Sequence, residues 1–145
     1  MKCPADFGID DSAMTVVTVP NIVERVRAAE EVLLRHVEQF NIPEDALFGI
    51  KLALEEALVN AIRHGNSNDP TKQITLKYYV DAAKLIVAIR DEGGGFKPAE
   101  LPDPTLDENL EKPHGRGVML MRAYMTEVRY NQRGNEVWLY KEIIR

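Results

Sequence analysis

Cysteine is nearly absent: Cys3 stands alone among 145 residues, so no disulfide can form within the chain. A cross-linked mini-protein is thereby excluded, and a reducing compartment is expected. No apolar run approaches the roughly 20 residues that a membrane helix needs. The opening residues lack the charged stretch and apolar run of a secretory leader, so the expected location is cytoplasmic. An excess of either charge is also missing. The 18 basic and 23 acidic residues give a net charge of -5 and are spread along the chain. No basic groove for nucleic acid and no polybasic membrane patch stand out, so neither is expected as a partner.

Several catalytic signatures are absent too. There is no Gly-x-x-x-x-Gly-Lys-Ser/Thr loop, no protein-kinase catalytic loop, no metal-spaced Cys/His cluster and no Gly-x-Ser-x-Gly elbow. Any phosphate ligand must be held by backbone amides and a cation. The length suits one ordinary domain with a core that needs no metal or cross-link. Residues 1–12, which contain Cys3, are expected to be a flexible N-terminal segment, and Cys3 to be incidental.

What is present falls into clear periodicities. Met14 to Val19 is β-branched and closes at Pro20-Asn21, which predicts an opening edge strand. Ile22, Val26, Ala29, Leu33, Val37 and Phe40 recur at threes and fours, so 22–40 is an amphipathic helix. A second helix runs from Glu44 to His64 on the arc Leu47, Ile50, Leu54, Leu58 and Ala61. Turn chemistry from Gly65 to Pro70 ends it. Ile74, Leu76, Tyr78 and Val80 alternate, as do Leu85, Val87 and Ile89, which predicts a hairpin with one face in the core. Four prolines between Lys97 and Pro113 mark a long loop of the kind that forms lids. Val118 to Met125 is helical in character, and Met119, Leu120 and Met125 are expected to pack on the sheet. Thr126–Tyr130 and Glu136–Tyr140 form a second hairpin around Arg133-Gly134-Asn135. The segregation of strands from helices predicts an α+β fold. It is a two-layer sandwich with helices on one face of a mixed, mostly antiparallel sheet.

Chemistry concentrates in three places. At 100° per residue, Glu56, Asn60 and His64 fall on one i, i+4 ridge beside the apolar arc. An Asn oxygen is a hard, neutral ligand for Mg²⁺, which takes few protein groups and fills its shell with phosphate oxygens and water. Asn60 is therefore the candidate metal ligand. Glu56 could accept the proton of an attacking hydroxyl or orient a water. Glu55 competes for that role but points about 100° away. Taken alone, these residues equally suit a solvent-facing helix edge, and His64 a C-terminal cap. Asp91 ends a strand before Gly93 and Gly95. Its carboxylate can thus lie at the bottom of a pocket and accept a hydrogen bond from an adenine amino group. An aspartate before glycines is also ordinary strand-to-loop punctuation. Gly115-Arg116-Gly117 before a helix offers free N–H groups to phosphate, with Arg116 adding charge, though a bare Gly-x-Gly serves equally as a hinge. Together the three segments point to an ATP site.

Glu-x-x-x-Asn-Ala on a helix, Asp-x-Gly-x-Gly after a strand, a lid and Gly-x-Gly before a helix resemble the N, G1 and G2 boxes of the GHKL ATPases. That is the Bergerat-fold superfamily of gyrase, Hsp90, histidine kinases and MutL. Within it the chain is most similar to the anti-sigma-factor serine kinases of bacterial partner switching, the RsbW-like and SpoIIAB-like proteins. The similarity runs from about Val16 to Tyr140. Pro102-Asp103-Pro104-Thr105 before Asn109-Leu110, and the closing segments Glu127-Val128-Arg129-Tyr130 and Gly134-Asn135-Glu136-Val137, also fit that smaller family.

The resemblance implies one domain over 13–145 with an ATP lid at about 97–114. It implies Glu56 as catalytic base, Asn60 on Mg²⁺, Asp91 on adenine, Gly93 and Gly95 lining the base pocket, and Gly115 and Gly117 near the phosphates. His114 stands where a small residue is more usual, and is expected to contact phosphate or to crowd the lid. The implied cofactors are ATP and Mg²⁺. The implied partners are a second copy of the chain, a sigma factor or other regulated protein, and an antagonist of STAS fold that is phosphorylated on serine or threonine. Two alternatives stay open at this level. One is a non-catalytic ATP-binding module that captures a partner. The other is the ATP-binding half of a split histidine kinase, although His36 lacks the His-Glu-hydrophobic-Arg-Thr-Pro context of a phosphoacceptor and fits a surface helix position.

Overall fold

The computed structural model describes residues 1–93 and 113–145, with side chains from residue 117 onward in the second segment. Residues 97–112 of the expected lid and Gly95 therefore lie outside the described residues, as do the side chains of His114 and Arg116, while 113 and 114 begin a helix. Strand β1 covers Thr15–Pro20, followed by helices α1 (Val23–Glu38) and α2 (Glu44–Val59). Strands β2 (Gln73–Val80) and β3 (Lys84–Arg90) form the first hairpin. Helix α3 (Pro113–Tyr124) precedes the second hairpin, β4 (Glu127–Tyr130) and β5 (Glu136–Glu142).

The sheet order is β1-β2-β3-β5-β4, and every neighbouring pair is antiparallel. The expectation of a mixed sheet is corrected: no parallel pair occurs among the described residues. The two hairpins are antiparallel by construction, and β5 enters beside β3 running the opposite way. One face carries the helices. Leu33 and Val37 of α1, Ile50 and Leu54 of α2 and Met121 of α3 are buried against Leu76, Leu85, Val87, Ile89 and Leu139. Each such side chain contributes roughly 1.5–3 kcal/mol on leaving water. Met125 is also buried, whereas Met119 and Leu120 are only half-buried.

The other face of the sheet is covered at its centre, and residues 1–12 are not a loose segment in this structure. Two short 3-10 turns, Ala5–Phe7 and Asp11–Ala13, lay Cys3, Phe7 and Met14 over Ile86, Ala88 and Trp138. Central strand β3 is thereby buried on both sides, where its alternation predicted one. Phe7 stacks on Tyr140 with ring centroids 4.9 Å apart, and the Arg129 guanidinium lies 4.7 Å from its centroid. Arg129 also pairs with Asp6. Lys84 Nζ donates to the Phe7 carbonyl at 2.8 Å, and buried Lys77 pairs with Asp11. Aromatic burial and cations from three strands thus fix a segment with no periodicity to signal it. His36 is likewise not a free surface residue. It is half-buried, with Nδ1 2.7 Å from the Tyr78 hydroxyl, which fits packing of α1 on β2 and not a phosphoacceptor.

Candidate nucleotide site

Helix α2 does not continue as α-helix to His64. From Asn60 to Gly65 it widens into a π-helical turn, and the Asn66 N–H reaches the Ala61 carbonyl at 2.8 Å. Such wide turns recur at functional sites because they re-aim side chains within a helix. The Glu56-Asn60-His64 ridge is therefore not a continuous α-helical stripe. Even so, Asn60, His64 and Gly65 line one cavity of about 150 Å³ together with Asp91 and Tyr130. Burial and nearby Arg63 lower the His64 pKa, so its imidazole is neutral near pH 7.

Asp91 stands just beyond β3, where its N–H donates to the Asn135 carbonyl at 2.9 Å. Its side chain is 8% exposed. Burial raises its pKa, while the Gly93 N–H donated to Oδ1 at 2.8 Å and the charges of Lys72, Arg133 and Arg90 hold it down. The pocket floor thus carries a desolvated carboxylate, an acceptor suited to an N–H donor on a flat ligand. Two glycines make this possible. A Cβ on Gly65 would sit 2.1 Å from Asp91 Oδ2, and one on Gly93 would sit 1.7 Å from the Gly65 carbonyl oxygen. Gly65 is thus required by close approach to Asp91, not merely as a helix stop.

Glu55 and Glu56 separate clearly. Glu55 pairs with Arg27 of α1 at 3.3 Å. Glu56 lies on the side facing α3. A Cβ on Gly117 would be 2.7 Å from Asn60 Nδ2 and 3.3 Å from both Asn60 Oδ1 and Glu56 Oε2. The two side chains therefore converge on one spot, against the backbone of α3. That helix starts at Pro113, not at Val118, because proline at the first position loses no needed N–H and presets φ. Gly115 consequently lies in the first turn, and Gly117 lies in the helix as a close-packing point. Among the described residues no three His, Cys, Asp or Glu side chains converge as a metal cage. Mg²⁺ does not need one, since Asn60 and nucleotide phosphates could share its shell.

The family model described as the histidine kinase-like ATPase domain matches residues 19–141. The chain belongs to that family. It is 32% identical over 115 residues to the anti-sigma F factor of Geobacillus kaustophilus, spanning 75% of this chain and 78% of that one. It is 33% identical to the anti-sigma F factor of Anoxybacillus flavithermus, over 69% of this chain and 70% of the relative. Similarity to the serine-protein kinase RsbW of Bacillus subtilis is 32% over 59% of this chain and 57% of that protein. Among the described residues no helix is long and apolar enough to cross a membrane.

Within this ATPase domain the structure brings Asn60, His64 and Asp91 to one cavity and sets Glu56 beside Asn60. Three residues that line the cavity were not read as site residues from sequence: Gly65, Tyr130 and Asn135. Tyr130 is half-buried, and that burial pushes its hydroxyl pKa up and keeps it protonated. From sequence Asn135 stood in a turn and in a closing segment that fits the family, with no site role, because its place beside Asp91 depends on the β3–β5 register.

Proposed function

We propose that this histidine kinase-like ATPase is a protein serine/threonine kinase and anti-sigma factor of a partner-switching system. Its substrate is serine or threonine on a STAS-type antagonist. The observation that carries the reading is the arrangement around Gly65 and Gly117: the buried Asp91 carboxylate and the Asn60 amide line one cavity, and the Glu56 carboxylate lies beside that amide against Gly117. Asp91 accepts the adenine amino group, Gly93 and Gly95 admit the base, and the Gly115 turn of α3 faces the phosphates. His114 and Arg116 flank that turn. When bound, Mg²⁺ held through Asn60 neutralises phosphate charge. Glu56 takes the proton of the attacking hydroxyl as the γ-phosphoryl is transferred.

Names of relatives support the partner half of this reading, since anti-sigma F factors and a serine-protein kinase match most of the domain. A cytoplasmic homodimer completes it. β1 is an edge strand, and Val16 is 57% exposed, which suits pairing through that edge. The test is phosphoproteomics of a host lysate given Mg-ATP and wild-type protein, Glu56→Gln or Asn60→Ala. A new phosphoserine or phosphothreonine on a small STAS-like protein is expected with wild type alone. Full activity of Asn60→Ala would overturn the site assignment. Intact nucleotide binding with no transfer by wild type would leave a binding module and refute the kinase.

A further inference from the structure

Asn66 is fully buried, and its side chain makes two hydrogen bonds that join separate parts of the chain. Its Nδ2 donates to the Gln73 carbonyl at 3.0 Å, at the first residue of β2. Its Oδ1 accepts the Glu92 N–H at 2.8 Å, in the turn that follows Asp91. Its own N–H closes the π-helical turn on Ala61. The Glu92 carboxylate returns to the Gln73 N–H, so the peptide after Asp91 is tied twice to the start of β2. On its other side, Asp91 is fixed by its N–H on Asn135. The carboxylate is thus carried on a backbone clamped before and after it.

We infer that Asn66 is a positioning residue for base selection: by holding the Glu92 peptide it sets where the Asp91 carboxylate meets the bound purine. The inference rests on Asp91 as the base acceptor. An amide suits this place because it must accept from one backbone group and donate to another. Adenine offers an amino donor to a carboxylate, whereas guanine offers a carbonyl at the same ring position and is repelled. A site that pairs with a specific polar group discriminates strongly, and the discrimination depends on placement. If Asn66 only fastened the loop for stability, its loss would weaken ATP and GTP alike.

The experiment measures Kd for fluorescent ATP and GTP analogues, with kcat at saturating ATP, on wild type, Asn66→Ala, Asn66→Asp and Asp91→Asn. Wild type is expected to prefer ATP. Asn66→Ala is expected to reduce the ATP/GTP preference about tenfold, through weaker ATP binding, with kcat within about threefold. Asn66→Asp sets a buried carboxylate against the Gln73 carbonyl, to which the amide donates in wild type, and is expected to lose the preference as Asn66→Ala does. An unchanged preference in Asn66→Ala, beside a lost preference in Asp91→Asn, overturns the role of Asn66 alone. An unchanged preference in Asp91→Asn overturns the base-acceptor reading and this inference with it. Should Asn66→Ala fail to fold, amide exchange of Glu92 in wild type decides. Linkage requires ATP to slow that exchange more than GTP does, and equal protection overturns the proposal.

Discussion

Replacing Gly117 by alanine sets helix propensity against site geometry. Alanine in a helix is favoured over glycine by about 1 kcal/mol. Against this, the new methyl carbon would lie 2.7 Å from Asn60 Nδ2 and 3.3 Å from Glu56 Oε2, closer than van der Waals contact. Both obstacles are ends of side chains, so the cheapest relief is rotation of the amide and carboxylate, at about 0.5–1.5 kcal/mol for an off-rotamer position. The two terms nearly cancel. Stability should stay within about 1 kcal/mol of wild type, a Tm shift of no more than about 4 °C. Function should not be spared, because a displacement near 1 Å at reacting groups costs about 100-fold. The expected result is a folded protein whose single-turnover phosphotransfer from ATP falls between about tenfold and 100-fold. Wild-type transfer in a variant of unchanged Tm would refute the argument, since the gap beside Asn60 and Glu56 would then have no bearing on the reaction.

Glu30, in a cavity between α1 and α2, has its pKa raised from 4.5 to about 7, by burial first and then by the Glu55 charge. The folded state therefore holds this proton more tightly than the unfolded chain. Stability is fully present below about pH 4.5 and is lost as pH rises towards 7. The undiscounted penalty is roughly 3 kcal/mol, and partial solvent screening reduces it to about 1–2 kcal/mol. Glu30→Gln should raise the urea midpoint at about pH 8 and leave it unchanged at about pH 4; equal effects at both would refute the linkage. Phe7→Ala removes a ring that is 3% exposed and stacked on Tyr140. It should cost about 3 kcal/mol and expose Cys3 to thiol reagents, and an unreactive Cys3 with unchanged stability would show that the segment over the sheet contributes nothing.

Much of the helical layer was legible because each element carries its own period. Leu33 and Val37, or Leu54 and Leu58, announce a buried helix face without knowledge of what covers it. The Glu56/Asn60 pair was legible for the same reason, being local. Contacts between distant segments were not. Nothing near Gly65 says that Asp91 will press against its Cα, and nothing near Asn66 says that Glu92 will donate to it. The π-helical turn was hidden because an apolar arc at threes and fours tolerates one wide turn at its end. The start of α3 was misplaced because Gly115 and Gly117 are poor helix formers, a preference that packing against α2 overrides. Residues 1–12 were misjudged because Cys3 and Phe7 follow no period, so only the sheet they cover reveals their place.

Asp91 shows why these unheralded contacts matter. The other buried charge described, Lys77 on the opposite face, has the Asp11 carboxylate against it. Asp91 has no salt bridge among the described residues and relies on one N–H from Gly93 and on cations acting through space. Its raised pKa means that ionisation destabilises the free protein as pH rises. A side chain serving stability alone would be an amide, as at Asn66 and Asn135 around it. The carboxylate is tolerable because Gly65, Asn66 and Asn135 fix its surroundings without adding a second charge, while it lines the cavity. A donor arriving there offsets the desolvation that folding left uncompensated. Under the proposed adenine contact, ligand binding and stability are coupled through this one carboxylate, and the neutral residues around it tune the coupling.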